Sequence, residues 1–256
     1  MTGEDRRSPG VAIVMGATGA IGSATARRLV RAGWQVALVG RDGPRVDALA
    51  TELGPLTVGL LADATVSSEV DAAVEAAVER LGPPAALVHA IGSILLKPAH
   101  VLSDTEIHDV LSVNLVSALY AVRAFVRVVP RGSAASVVLF SSAATKIGLI
   151  NHEAIAAAKG GIDGLVTSAA ASYAARGIRV NALAPGLVRS RLTQRLIENE
   201  ALLRASEAMH PLGRVGDADD VAALAAFLVS SDAGWITGQV IAVDGGLSGV
   251  KLPPRA

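Results

Sequence analysis

Cysteine is absent from this chain of 256 residues, which excludes disulfides, thiolate metal sites and cysteine nucleophiles and is compatible with a reducing cytoplasm. An excess of either charge is lacking too. Lys+Arg and Asp+Glu both total 23, so no global field draws the chain to nucleic acid or an anionic membrane, and any charge-based function must be local. No stretch approaches the roughly 18 uninterrupted apolar residues of a membrane span. The positive mean hydropathy, +0.48, comes from Ala and Val spread along the chain. Arg6-Arg7 before the apolar run from Val11 has the outline of a twin-arginine export signal. That run, however, carries Gly16, Gly19 and Gly22, shows no evident small-residue cleavage site and leads into Arg27-Arg28 of an amphipathic segment, so it reads better as strand, glycine turn and helix. A soluble, cytoplasmic protein is expected.

What is present is a regular alternation. Short β-branched runs at 11–15, 35–39, 56–61, 86–90, 136–140, 178–182 and 239–243 predict strands. Helical patterns fall between or after them at about 20–32, 43–53, 67–80, 104–129, 152–176 and 217–230, by periodicity and propensity. Such alternation implies an α/β fold: one Rossmann-type, doubly wound parallel sheet of about seven strands with helices on both faces. The length suits a single domain, at 10–250, with residues 1–9 a disordered extension and the tail after Lys251 without regular structure. The rhythm breaks after Pro185-Gly186, where the polar stretch 187–214 follows the sixth strand. Ligands in open α/β sheets sit beyond the carboxyl ends of the strands, so this insertion is expected to be a substrate lid. Its Arg189, Arg191, Arg195 and Arg204 would favour an anionic substrate if two converged on the cleft. Interleaved as they are with Glu198, Glu200 and Glu207, they read better as a solvated face, and substrate charge stays open.

Gly16-Ala17-Thr18-Gly19-Ala20-Ile21-Gly22 ends the first strand and opens the first helix. Glycines there permit a tight turn and close backbone approach to a pyrophosphate, which the helix N-terminus stabilises through free N–H groups and its dipole. The second strand ends Val39-Gly40-Arg41. An acidic residue there would bind a ribose 2′-OH and favour NAD(H); Gly40 followed by Arg41 offers a cation for a 2′-phosphate, so NADP(H) is expected. Asp42 keeps NAD(H) as the runner-up.

These motifs, with others further on, resemble the short-chain dehydrogenase/reductase family over about 11–247. The glycine loop resembles the family's nucleotide loop, with Met15 in the place of a usual threonine and the middle glycine at 19. Asp63-Ala64 resembles its adenine-contacting pair, and His89-Ala90-Ile91-Gly92 occupies the place of its Asn-Asn-Ala-Gly segment, with His89 read as a structural residue beneath the cofactor. Asn114 matches a helix asparagine that maintains a water-linked path to an active-site lysine. Ser142 matches a serine thirteen residues before the active-site tyrosine, and Lys159 the lysine four residues after it. The resemblance implies that Ser142 orients a substrate oxygen and that Lys159 binds the nicotinamide ribose. It implies also that Pro185, Gly186, Val188 and Ser190 belong to the segment holding the carboxamide. Val240 to Gly246 resembles the family's last strand. By the same resemblance the long helices at 104–129 and 152–176 pair subunits into a homotetramer or dimer.

Position 155 departs from this pattern: isoleucine stands where the family has the proton-donating tyrosine. Hydride addition to a ketone creates an alkoxide, and a positioned acid assists that step by about 10²–10⁴-fold. Isoleucine supplies none of that. His152 and Glu153, within a helical turn of Ile155, and Lys146, on the loop after Ser142, are candidate substitutes. His152 leads because its pKa is ordinarily near neutrality, although a capping or surface role suits it better. Alternatively the reaction needs no enzyme acid, as in reduction of an iminium ion, or water or the substrate supplies the proton. A third possibility is that redox chemistry is lost, leaving a cofactor-binding pseudoenzyme or a non-redox isomerase or cyclase. The leading expectation is an NADP(H)-dependent oxidoreductase acting on a small organic C=O, C=N or activated C=C substrate.

Overall fold

The structure, a computed structural model, describes residues 9–251; the extension expected over residues 1–9 thus falls almost wholly outside the described residues, as does the tail beyond Lys251. The elements run β1 (Val11–Met15), α1 (Ala20–Arg31), β2 (Gln35–Gly40), α2 (Gly43–Leu53), β3 (Thr57–Leu61), α3 (Ser67–Leu81) and β4 (Pro84–His89). They continue with α4 (Asp104–Leu111), α5 (Ser117–Val128), β5 (Ala135–Phe140), α6 (Glu153–Tyr173), β6 (Ile178–Pro185), α7 (Gln194–Glu198), α8 (Glu200–Met209), α9 (Ala218–Val229) and β7 (Val240–Val243). All seven strands pair in parallel, in the order β3-β2-β1-β4-β5-β6-β7. The chain winds outward from β1 to one edge, then returns to build the other, so a crevice opens beyond the carboxyl ends of β1 and β4.

Strands covered on both faces read as continuous apolar runs rather than alternations, and β1, β2 and β5 are of this kind. Successive residues point to opposite faces. Ile13, Leu87 and Leu139 join Phe125 and Ile162 in one core layer, while Val14, Val88 and Leu183 join Leu38 and Leu228 in the other.

The helix expected over 104–129 is not uniformly α-helical: Ser112–Val116 forms a π-helical turn between α4 and α5. Its cause is local. Asn114 Nδ2 donates to the Val110 carbonyl at 3.0 Å, the group a regular helix would give to a backbone N–H four residues on, and Ser117 Oγ takes the Val113 carbonyl at 2.7 Å. Such turns recur at functional sites. A Ser103/Glu106 capping box starts α4. The run Asp104–Val128 has the length and mean hydropathy (1.5) of a membrane-crossing helix, and half of it is buried inside the domain. Its apolar face, Ala118, Ala121, Val122 and Phe125, is packed in the core.

β6 is longer than its β-branched run suggests, reaching Pro185 because Ala182–Pro185 pairs with β7. The 187–214 insertion holds two short helices, α7 and α8, with stems tied by Arg189 N–H to Gly216 O (2.8 Å) and Gly216 N–H to Leu187 O (2.8 Å).

Candidate active site

The glycine loop is shaped by contacts that admit no side chain. Gly16 has φ +74°, and a Cβ there would come within 2.6 Å of the Ala90 carbonyl oxygen. A Cβ on Gly22 would collide with Gly16 O. Gly19 has φ −75° and is the N-cap of α1 without a side-chain cap, and no acidic residue occupies the first turn. The first N–H groups of α1 lack intrahelical acceptors, so the loop presents donors and the positive end of a dipole to an anion. Steric closeness at Gly16 and Gly22 and open donors behind Gly19 fit a pyrophosphate, with Thr18 and Ile21 on the same turn.

Beyond β2, Arg41 is exposed while the Asp42 side chain accepts the Arg45 N–H at 3.2 Å and caps α2. Arg45, not among the residues expected at the site, reaches back to donate to Thr18 O at 2.5 Å. A signal for it existed: a cation in a helix's first turn opposes the dipole and so implies another employment. Asp63 Oδ1 accepts from the Thr65 N–H (2.8 Å) and hydroxyl (2.7 Å). The Thr65 hydroxyl bond, then the Thr65 N–H, hold its carboxyl below the usual range against partial burial, with Arg41 adding a smaller contribution. Ala64 beside it is buried.

The crevice narrows to a cleft of about 180 Å³ onto which Gly92, Asn114, Ser142, Ile155, Lys159 and Ser190 all face. A larger hollow of about 690 Å³, lined by Trp34, Arg179 and Trp235, lies at the amino-terminal ends of the strands, away from the glycine loop. Ile21, Ala90, Pro185, Gly186 and Val188 also line the cleft, so α1, α6 and the segments around the ends of β4, β5 and β6 bring these expected residues together, while Gly16, Thr18, Gly19, Arg41, Asp63 and Ala64 lie outside its lining. Asn114 Oδ1 accepts the Ser93 N–H at 3.1 Å, and its Nδ2 donates to Ser93 Oγ at 2.8 Å. A Cβ on Gly92 would lie 3.2 Å from Asn114 Oδ1 and 3.6 Å from Lys159 Nζ, so that glycine leaves space beside both polar groups. Ser142 Oγ accepts the Ala144 N–H at 3.2 Å, which leaves its O–H to donate. Ser190 and Thr193 share a hydroxyl contact at 3.0 Å, and the buried Thr193 donates to Val188 O at 2.6 Å. No pattern in the sequence pointed to Thr193.

Lys159 is 7% exposed and donates through Nζ to the Phe140 carbonyl at 2.9 Å; burial pushes its ammonium pKa down to about 8. Below it, His89 is buried and 3.1 Å from Ser117 Oγ. Burial first, and the Lys159 charge second, push its pKa down to about 3, so it stays neutral. Ile155 is 5% exposed and packs against Val110 and Ala158. The chain's two tyrosines, Tyr120 and Tyr173, line a groove between α5 and α6 instead of the cleft. His152 Nδ1 is bonded to Ile150 O at 2.7 Å, and Lys146 pairs with Asp163 at 3.2 Å. Neither these two nor Glu153 lines the cleft.

The arginines of the 187–214 insertion form a solvated face. Arg189, Arg191, Arg195 and Arg204 are all exposed, with Arg204 paired to Glu200 at 2.5 Å and Arg189 to Glu207 at 3.6 Å.

Residues 16–248 match the family model described as enoyl-(acyl carrier protein) reductase. The galactitol 2-dehydrogenase (L-tagatose-forming) of Cereibacter sphaeroides is 35% identical over 240 residues, covering 92% of this chain and 93% of that one. The inactive 2-(S)-hydroxypropyl-CoM dehydrogenase 2 of Xanthobacter autotrophicus is 34% identical over 229 residues, 88% of this chain and 100% of that protein. Among solved structures, an actinorhodin polyketide ketoreductase variant with NADPH superposes with a TM-score of 0.88 at 28% identity, covering 94% of this chain and 97% of that one.

Proposed function

The chain belongs to the short-chain dehydrogenase/reductase family, and on that premise we propose that it is an NADP(H)-dependent oxidoreductase of a small organic substrate whose proton is not delivered by tyrosine. The observation that carries this is one cleft in which Asn114, Ser142 and Lys159 meet while Ile155 occupies the fourth position. The donors behind Gly19 would hold the pyrophosphate, and Arg41 with Arg45 would meet a 2′-phosphate through charge-assisted hydrogen bonds. Asp42, engaged in capping α2, is poorly placed to serve a ribose 2′-OH, which weighs against NAD(H). Asp63 and Ala64 would flank the adenine. Ala90 and Gly92 would lie under the nicotinamide end, with Pro185, Gly186, Val188 and Ser190 beside the carboxamide. A bound nicotinamide supplies or accepts hydride. Ser142 would orient the substrate oxygen by its free O–H, and the Lys159 ammonium would hold ribose hydroxyls.

Val188, Ser190, Leu192 and Thr193 of the 187–214 insertion line the cleft, which supports reading that insertion as a lid over the substrate. The groove along α5 and α6, where Arg123 lies over the Tyr120 ring at 5.2 Å and Leu119 is exposed, is the surface through which a dimer or tetramer would form. Light scattering of the purified protein checks that assembly.

A second possibility, a cofactor-binding protein without turnover or a non-redox isomerase or cyclase on the same fold, is favoured by the burial of Ile155 and by the relative whose name carries the word inactive. The deciding experiment pairs fluorescence titration with NADPH and NADH against oxidation assays over ketones, cyclic imines and enones. NADPH consumption with turnover supports the oxidoreductase. Turnover without consumption supports the non-redox enzyme, and tight binding with no turnover the pseudoenzyme. Failure to bind either nucleotide overturns all three. Arg41→Ala with Arg45→Ala is expected to weaken NADPH at least about tenfold while leaving NADH unchanged, since hydrogen bonds to charged groups each contribute about 1.5–3 kcal/mol.

A further inference from the structure

We propose that Lys159 is itself the proton donor of the cleft, which makes the substrate a carbonyl compound carrying no positive charge at its reacting end. This deepens the oxidoreductase reading and rests on it. Among the described residues that line the cleft, Lys159 is the one whose side chain ionises; the others are aliphatic, hydroxyl, amide, glycine, proline or phenylalanine. Isoleucine at 155 removes the phenol that would stand between the ammonium and a substrate oxygen, and leaves an apolar wall in its place. The ammonium is held at the cleft by its bond to Phe140 O. A lysine so held has the proton the chemistry needs and, with its pKa brought down to about 8 by burial, gives it up more readily than an exposed lysine would.

The groups around Lys159 do not compete for that role. His89 on β4 is neutral and engaged with Ser117. On α6 itself, Asp163 is taken by the Ser141 hydroxyl and by Lys146. On α4, Glu106 is held by Lys97 at 2.8 Å, and Asp104, His108 and Asp109 are exposed. No carboxylate lines the cleft among the described residues. A substrate cation would therefore face an uncompensated ammonium, whereas an alkoxide developing on a carbonyl oxygen would be drawn to it.

The step balances. The carbonyl carbon receives the hydride that a reduced nicotinamide supplies, the carbonyl π pair moves to oxygen, and the Lys159 ammonium gives that oxygen a proton. The products are an alcohol, the oxidised nicotinamide and a neutral amine that solvent reprotonates.

The test uses the full chain with NADPH and two neutral probes, 9,10-phenanthrenequinone and 1-phenyl-1,2-propanedione, from pH 6 to 10, beside a cationic cyclic iminium probe. Expected are reduction of a neutral dicarbonyl, little reduction of the iminium, and a turnover rate that falls about tenfold per pH unit above the pKa of about 8. Lys159→Arg keeps a cation for the ribose but holds its proton too firmly to donate it. It should bind NADPH within about threefold of the parent and lose roughly 100-fold or more in turnover, the acid's share of the rate, with the alkaline limb gone. Should that variant fold poorly, the parent's own alkaline limb still decides. A flat profile, an unimpaired Lys159→Arg, preference for the iminium, or NADPH binding with no carbonyl reduction each overturns the assignment. Absence of NADPH binding by the parent instead overturns the oxidoreductase reading beneath it.

Discussion

The nucleotide half and the proton half of this site are built from different materials. Around β1 and α1 the working groups are backbone N–H donors, held by glycines whose replacement would drive a Cβ into neighbouring carbonyls. Around β5 and α6 they are side chains, and beside them on α6 Ile155 belongs to a small apolar cluster. A backbone-built site cannot be altered without straining the fold, whereas a side-chain-built site can lose a chemical group and keep its shape. The first kind therefore announces cofactor binding reliably, and the second leaves the reaction to be measured.

Stability measurements on single substitutions separate the two halves. Lys159 carries the greatest cost. Its folded pKa, about 8, lies below the ordinary 10.5, so below pH 8 both states hold the proton and the folded state bears the full penalty. Between 8 and 10.5 the unfolded chain binds more proton, and stability rises with pH. Lys159→Met should thus stabilise the protein by on the order of 3 kcal/mol below pH 8, at about 1.36 kcal/mol per unit, with the gain fading by pH 10.5. Urea unfolding at a series of pH values would show this; a gain that persists undiminished at pH 10.5 would break the link to charge.

Gly22→Ala should act oppositely, costing on the order of 1–3 kcal/mol by overpacking and abolishing nucleotide binding together. An alanine variant with normal stability and normal NADPH affinity would show that the loop yields more easily than its contacts imply. Ile155→Val removes one methylene from the cluster with Val110 and Ala158 and is expected to cost about 1 kcal/mol, with cofactor affinity unchanged. A change in affinity without loss of stability would mean Ile155 touches the cofactor more than the core. Smallest is Arg204→Ala on α8, whose exposed pair with Glu200 should contribute no more than about 0.5 kcal/mol. A larger loss, or a tenfold weaker affinity for an anionic substrate, would return the arginines of the 187–214 insertion to the site.

Much of the architecture is legible in the sequence. The seven strand positions follow from β-branched runs because a parallel sheet covered on both faces needs them, and the glycine loop follows from its place at the end of the first. Helix ends were less so: 104–129 reads as one amphipathic stretch, yet Asn114 and Ser117 capture carbonyls and turn its middle into a π-helix. The place of Arg45 in the first turn of α2 marks it in the sequence as a cation with another employment, but its partner Thr18, far away in the chain, is visible only in the fold. His152 and Lys146 looked available by spacing alone. Only their bonds to Ile150 and Asp163 show where they are spent.

Local chemistry and period determined the strands, the glycine turn and the cation after β2, since these depend on residue type and near neighbours along the chain. Only the tertiary structure decided how far Lys159 is desolvated, which charged groups are paired away from the cleft, and that among the described residues Lys159 is the one ionising side chain lining it. Burial and dielectric are properties of what the fold brings together.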